Sequence, residues 1–266
     1  MCKIILVILS IYSITSLLKS ETSVIIQSTT STKNSGFYSY ILPLIYEDLK
    51  IKAKVVALGT GAAIRNSMNC DGDLLIVHSP IQEKKFILHG YAKKSNYIMH
   101  NHFVIIGPKS DPLKIKNIKK PEYALKKIFD YKYLFVSRGD KSGTHDKEMS
   151  LWGIININPE LHSGSWYLET GTGMGATINT AVGLGAYTFT DKASWISFRN
   201  KYDFDILIDG DKSLINKYSA LAISKDKCPS AKENESQEII DWFLSENGKR
   251  SILNFKKNQK QLFFIE

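Results

Sequence analysis

A chain of 266 residues with 43% hydrophobic and 23% charged residues has a globular composition. That excludes a disordered chain, a collagen-like chain and a polytopic membrane protein, and leaves room for one large domain or two modest ones. The net charge of +9 rests on 31 lysines and only four arginines (Arg65, Arg138, Arg199, Arg250), which reads as a solvated lysine surface; no basic tract interleaves with aromatics, so nucleic acid is not an expected partner.

The N-terminus reads as an address. Lys3 precedes the apolar run Ile4 to Leu18, which is short for a membrane span and suits a secretory leader cleaved near Ser20. No later run approaches the length of a membrane span, so export as a soluble protein is the expectation. Loss of Lys3 and Lys19 takes the 35 basic residues to 33, against 26 acidic. Cys2 leaves with the leader. Cys70 and Cys228 remain; an oxidising compartment would let them pair, and two small buried thiols are the other reading.

Short apolar runs then alternate with helical patterns. Strands are predicted at 24–27, 53–58, 73–77, 103–106, 133–137, 166–168, 186–189 and 221–223, mostly apolar on both faces, as in parallel sheets covered by helices. Helices are predicted at 38–49, 142–151, 174–184, 194–198 and 236–247, the last with Ser236 as N-cap and Gly248 as stop. The alternation indicates an α/β fold with mostly parallel sheets.

The informative feature recurs at four strand ends. Ser28-Thr29-Thr30-Ser31-Thr32, Gly59-Thr60-Gly61, Arg138 to His145, and Gly171-Thr172-Gly173-Met174-Gly175 each follow a strand and lead into a helix. Taken singly, such loops are ordinary caps and turns. Together they offer free helix N–H groups, rotatable hydroxyls and close backbone approach, which is the equipment of an oxyanion site. Arg138 adds a forked permanent charge to the densest of them.

Other chemistries fit less well. Gly171-x-Gly173-x-x-Ala176 with Asp191 matches a dinucleotide fingerprint, but sits mid-chain in a protein expected outside the cytoplasm. His78, His89, His100 and His102 form no compact metal-ligand spacing, so no metal cofactor is expected. A Ser142/His145 hydrolase would need a buried acid and an oxyanion hole, and His145 is expected to cap or pack instead.

The motifs together resemble the tungstate-binding periplasmic proteins of Tup-type ABC transporters, over nearly the whole mature chain. The resemblance rests on Ser28-Thr29-Thr30-Ser31, Leu58-Gly59-Thr60-Gly61, Leu75 to Pro80, Asn101 to Pro108, Ser137 to His145, Gly173-Met174-Gly175 and Ala186 to Asp191. Ser28 replaces a family Thr, His102 an Asp and Lys141 an Asp. The resemblance implies a two-lobed type II periplasmic-binding-protein fold with the anion in the cleft between lobes. It also implies delivery to a membrane permease driven by a cytoplasmic ATPase. The expected lobes are 21–100 plus 217–266, and 101–216. The implied anion ligands are Thr29, Thr30, Ser31, Thr60 and Gly61 from the first lobe, with Arg138, Ser142, Gly143, Thr144 and Thr172 from the second. Tungstate or molybdate is the expected guest, phosphate or another oxyanion the alternative, and the protein is expected to be a monomer with no cofactor. Asp140 either locks the Arg138 guanidinium or faces the ligand; the family match favours the lock.

Overall fold

The computed structural model describes residues 22–265, so the leader expected at 1–20 lies outside the described residues. Nine strands form one sheet: β1 (Thr22–Thr29), β2 (Ile51–Leu58), β3 (Leu74–Val77), β4 (Asn96–Pro108), β5 (Phe135–Ser137), β6 (Tyr167–Glu169), β7 (Tyr187–Asp191), β8 (Phe204–Ile208) and β9 (Ile215–Ala222). The order is β2-β1-β3-β9-β4-β7-β5-β6, with β8 also on β4. Both flanks are parallel: β1 pairs β2 and β3, and β5 pairs β6 and β7. The central strands β4 and β9 run antiparallel to their neighbours.

The long strand β4 organises the molecule. Its first half, from Asn96 to His102, pairs β9, and its second half, from Phe103 onward, pairs β7 and β8. Each half serves its own core. One core gathers Val24, Ile41, Ile98, Ile239 and Phe243; the other gathers Phe103, Phe135, Trp152, Tyr167 and Tyr187. The chain returns through a short 3-10 turn, Lys212–Leu214, directly into β9. No helix among the described residues is long and apolar enough to cross a membrane.

Several expectations are corrected. The run at 103–106 is the second half of β4, because its first half carries His100, Asn101 and His102 and so lacks an apolar signature. Strand β9 begins at Ile215, not Leu221. Strand β8 and the helices Pro80–Leu88 and Pro121–Asp130 carry no predicted counterpart. The helix expected at 236–247 runs Glu233–Leu244, and Ser236 lies inside it, donating its hydroxyl to the Asp73 carbonyl at 2.9 Å. Gly248 does not stop it; Ser245 breaks the chain and caps a further helix, Glu246–Asn254, accepting from the Gly248 N–H at 3.1 Å. Gly248 is there for space, since a Cβ would lie 2.0 Å from the Trp242 carbonyl oxygen.

Cys70 and Cys228 form a disulfide, with Cα atoms 5.3 Å apart and 158 residues between them. Cys70 adopts φ +63° just beyond the helix Thr60–Met68. The bond therefore ties the far end of that helix to the loop after β9. A cross-link closing a loop this long restricts the unfolded chain by about 3–5 kcal/mol. The Cys70→Ser/Cys228→Ser protein should melt roughly 10 °C lower at this chain length. Calorimetry showing an unchanged midpoint would remove the disulfide from the stabilising interactions.

Candidate functional site

Two of the hydroxyl loops meet directly. The Gly143 N–H donates to Thr60 Oγ1 at 3.2 Å. Gly143 opens the helix Gly143–Ile154, and Thr60 opens Thr60–Met68, so two helix N-termini face one another. The approach requires glycine: a Cβ at 143 would lie 2.8 Å from the His78 carbonyl and 2.9 Å from its Nδ1. The helix at Thr60 has no side-chain cap, whereas Ser142 Oγ caps the other by accepting from the His145 N–H at 3.4 Å.

Arg138 is 4% exposed at the end of β5. Asp140 Oδ2 accepts from its Nη2 at 2.5 Å, and Asp140 Oδ1 accepts from the Ser142 N–H at 3.2 Å. Asp140 therefore locks the guanidinium and the turn together. Gly139 at φ +58° and Lys141 at φ +55° shape that turn. Glu169 lies 2.7 Å from where a Gly139 Cβ would stand, so no side chain fits there.

The first loop joins through its hydroxyls. Thr29 Oγ1 meets Thr32 Oγ1 at 2.8 Å and Ser31 Oγ at 3.2 Å, all three residues buried. Ser31 reaches the Tyr218 hydroxyl. Tyr218 accepts from Asn101 Nδ2 at 3.3 Å and Asn216 Nδ2 at 3.2 Å, and its ring lies 4.9 Å from that of His78. Thr29, Ser31, Thr60, Arg138, Ser142, Gly143 and Thr144 thus belong to one buried cluster, with Thr30 and Gly61 half-buried at its side. Thr172 stands apart: it is exposed, and its N–H bonds Thr170 Oγ1 at 3.4 Å.

Four polar residues that the motifs did not single out as ligands complete the cluster. His78, Asn101, Asn216 and Tyr218 come from β4, β9 and the end of β3, where the chain crosses between halves. Asp191, at the end of β7, is fully buried; its Oδ1 accepts from the Ser194 N–H at 2.8 Å. Burial raises its pKa, while Ser194 and the charge of Arg138 oppose the rise. Buried polar atoms almost always find partners. Arg138 Nε, Thr144 Oγ1, His78 Nδ1 and Asp191 Oδ2 have none among the described residues.

The halves are also latched beside the cluster. Asp146 Oδ2 accepts from Ser79 Oγ at 3.0 Å and Gln82 Nε2 at 2.7 Å. His145 Nδ1 accepts from the Lys141 N–H at 3.1 Å. Its ring therefore braces the loop and is not presented to Ser142 Oγ, which meets only the His145 backbone. Ligand atoms of His145, Glu160 and Glu169 lie within 4.8 Å of one another. Its Nδ1 is already taken by the Lys141 N–H, and its Nε2 has no hydrogen-bond partner among the described residues, so neither carboxylate is bonded to the ring.

Residues 19–247 match the model of the PBP superfamily domain. The tungstate-binding protein TupA of Peptoclostridium acidaminophilum is 36% identical over 243 residues, covering 91% of this chain and 84% of that protein. Among solved structures, the tungstate-binding protein TupA from Desulfovibrio alaskensis superposes with a TM-score of 0.80 at 38% identity, over 91% of this chain and 98% of that one. The tungstate ABC transporter from Geobacter sulfurreducens gives 0.81 at 36% identity, over 88% and 98%.

The buried cluster has a pH signature. His78 is pushed down to about 4 from 6.5, first by burial and then by the Arg138 charge. A base with a lowered folded pKa stabilises the fold above 6.5, and that contribution fades as pH falls toward 4. Glu148 acts in the opposite sense: burial raises it from 4.5 to about 7, so its contribution fades as pH rises through 7. The two overlap, so His78→Asn must be compared with the parent. Its ligand-free melting temperature should fall less than the parent's between pH 6.5 and 4. Parallel curves would mean that His78 is not held neutral by the fold.

Proposed function

The chain belongs to the PBP superfamily and, within it, to the family of the tungstate-binding TupA proteins; on that premise we propose that it is a periplasmic binding protein, not an enzyme, that captures tungstate or molybdate. It would hand the anion to the permease and ATPase of an ABC importer, acting as a monomer. The observation that carries the reading is the pair of buried donors, Arg138 Nε and Thr144 Oγ1, unpartnered beside the Gly143–Thr60 junction. A tetrahedral oxyanion there would accept from both, from the uncapped N–H groups at Thr60 and Gly61, and from Thr29, Thr30, Ser31 and Ser142, while Gly143 would join by turning its N–H from Thr60 Oγ1 to the anion. Thr172 would join only through a movement of its loop.

The proposed lobes are 21–100 plus 217–266, and 101–216. What supports them is the change of partner along β4 at His102–Phe103 and the separate core of each half. Each lobe would supply about half of the donors, so binding would draw the lobes together.

A cage of donors suits a guest with no proton, and Asp140 is already committed to Arg138 and the Ser142 N–H. Asp191 Oδ2 is the one observation that favours the alternative, because a buried acceptor is what hydrogen phosphate would need. The hydrolase alternative loses its base, since the His145 ring serves Lys141.

Two measurements test the reading. Arg138→Met should be made together with Asp140→Asn, so that no carboxylate is left bare. A charged hydrogen bond is worth about 1.5–3 kcal/mol, which is roughly a ten- to hundredfold loss of affinity. Unchanged tungstate affinity by calorimetry would remove Arg138 from the site. In a thermal-shift panel at constant ionic strength, tungstate should stabilise most and molybdate next, with phosphate and sulfate weak. Phosphate in the lead would make Asp191 the acceptor and the protein a phosphate carrier.

A further inference from the structure

A cavity of about 390 Å³ lies between the halves, against the outer side of the anion cluster. Its size is within the range of small-molecule sites. Gly143, Lys147 and Ser150 form one wall, at the i, i+4, i+7 spacing of a single helix face. Pro80 and Ile81 form the facing wall from the other half. Phe103 and Ile215 form the floor, where the chain crosses between halves.

Most of its accessible surface is apolar, and its polar lining includes His78 and Asn216 of the anion cluster and Lys217 beside the groups that follow. Lys147 is half-buried, burial lowers its pKa, and it makes no ion pair among the described residues. Ser213 also lines the space, but its hydroxyl is buried and faces the Asp211 carboxylate. Lys212 stands exposed at the rim. The one carboxylate of the lining, Asp146, is occupied by Ser79 and Gln82. The Lys147 ammonium above an apolar floor calls for an anionic group on an apolar body. A monoanion is the better fit than a dianion, because apolar walls make each buried charge costly.

We propose that this cavity is a second ligand site, which takes a small apolar carboxylate and favours the arrangement in which Gly143 meets Thr60. A guest touching Lys147 and Ile81 together contacts both halves at once, so it binds this arrangement better than one with the halves apart. The same arrangement brings the oxyanion donors together, so the two ligands help one another, and linkage makes the effect reciprocal. The coupling rests on the oxyanion reading above; the cavity itself does not.

Benzoate is the probe, with benzyl alcohol as its neutral counterpart. Titration calorimetry on the ligand-free protein should show benzoate binding and no binding of benzyl alcohol. Saturating benzoate should tighten tungstate binding about fivefold or more. Lys147→Met, and separately Ser150→Trp, which fills the space, should abolish both benzoate effects while leaving tungstate affinity in buffer unchanged. Benzoate that fails to bind the parent, or binds Lys147→Met equally well, overturns the site. Benzoate binding with no change in tungstate affinity overturns the coupling. A parent that binds benzoate at Lys147 but no oxyanion keeps the cavity and sinks the transport reading instead.

Discussion

A guanidinium buried to a twentieth of its surface constrains everything around it. Taking a charge out of water costs several kcal/mol unless partners replace the lost solvent. Asp140 supplies one partner and fixes the plane of Arg138 while also holding the Ser142 N–H. This places the charge, the turn and the start of the Gly143–Ile154 helix in one rigid unit. Gly139 completes it, because Glu169 leaves no room for a Cβ and the turn needs positive φ. His145 then braces the same unit from inside the helix through the Lys141 N–H. The loop is stiff for a stated reason at each of its residues, which is what preorganised anion binding requires.

The second constraint is contact between halves. Gly143 is the residue on which the halves close: any side chain there would strike His78, and its N–H would be carried away from Thr60. Thr60 is in turn fixed by the helix whose other end is cross-linked through Cys70. Strands β4 and β9 pass side by side from one half to the other, paired with each other on both sides of the crossing, so a two-stranded ribbon joins the halves and not a single tether.

What could be read beforehand followed how local each signal is. The hydroxyl and glycine clusters at strand ends are local, because a turn and a cap are built from neighbours in sequence, and three of the four loops do supply the buried cluster. Thr172 carries the same local pattern but is exposed, since pattern alone does not say which sheet edge points inward. His78 and Asn101 lie inside stretches that carry the family resemblance, but the role they share with Asn216 and Tyr218 arises where separate strands cross, which neighbours in sequence do not show. Strand β4 is only half legible for a related reason: its first half alternates Asn101, which faces the cluster, with His100 and His102, which pack on Phe264, so it lacks the apolar run that marks a buried strand. Gly248 misled because glycine after a helical pattern usually ends it, whereas here close packing on Trp242 chose it. The two-lobed architecture came from the motifs as a set; composition and periodicity alone reached only α/β.

The charge balance of the cluster says how a dianion could be held and still released. Arg138 is largely neutralised by Asp140, and His78 is neutral through burial. Arg138 therefore offers a charged hydrogen bond through its free Nε but little uncompensated long-range charge, and helix dipoles add to it. Each helix N-terminus carries roughly half a positive charge, and two of them meet at the Gly143–Thr60 junction. Those partial charges act within a turn of the helix end and weaken quickly when the halves separate. Donors split between the proposed lobes would part as the lobes part, so release from such a site would need no proton to move.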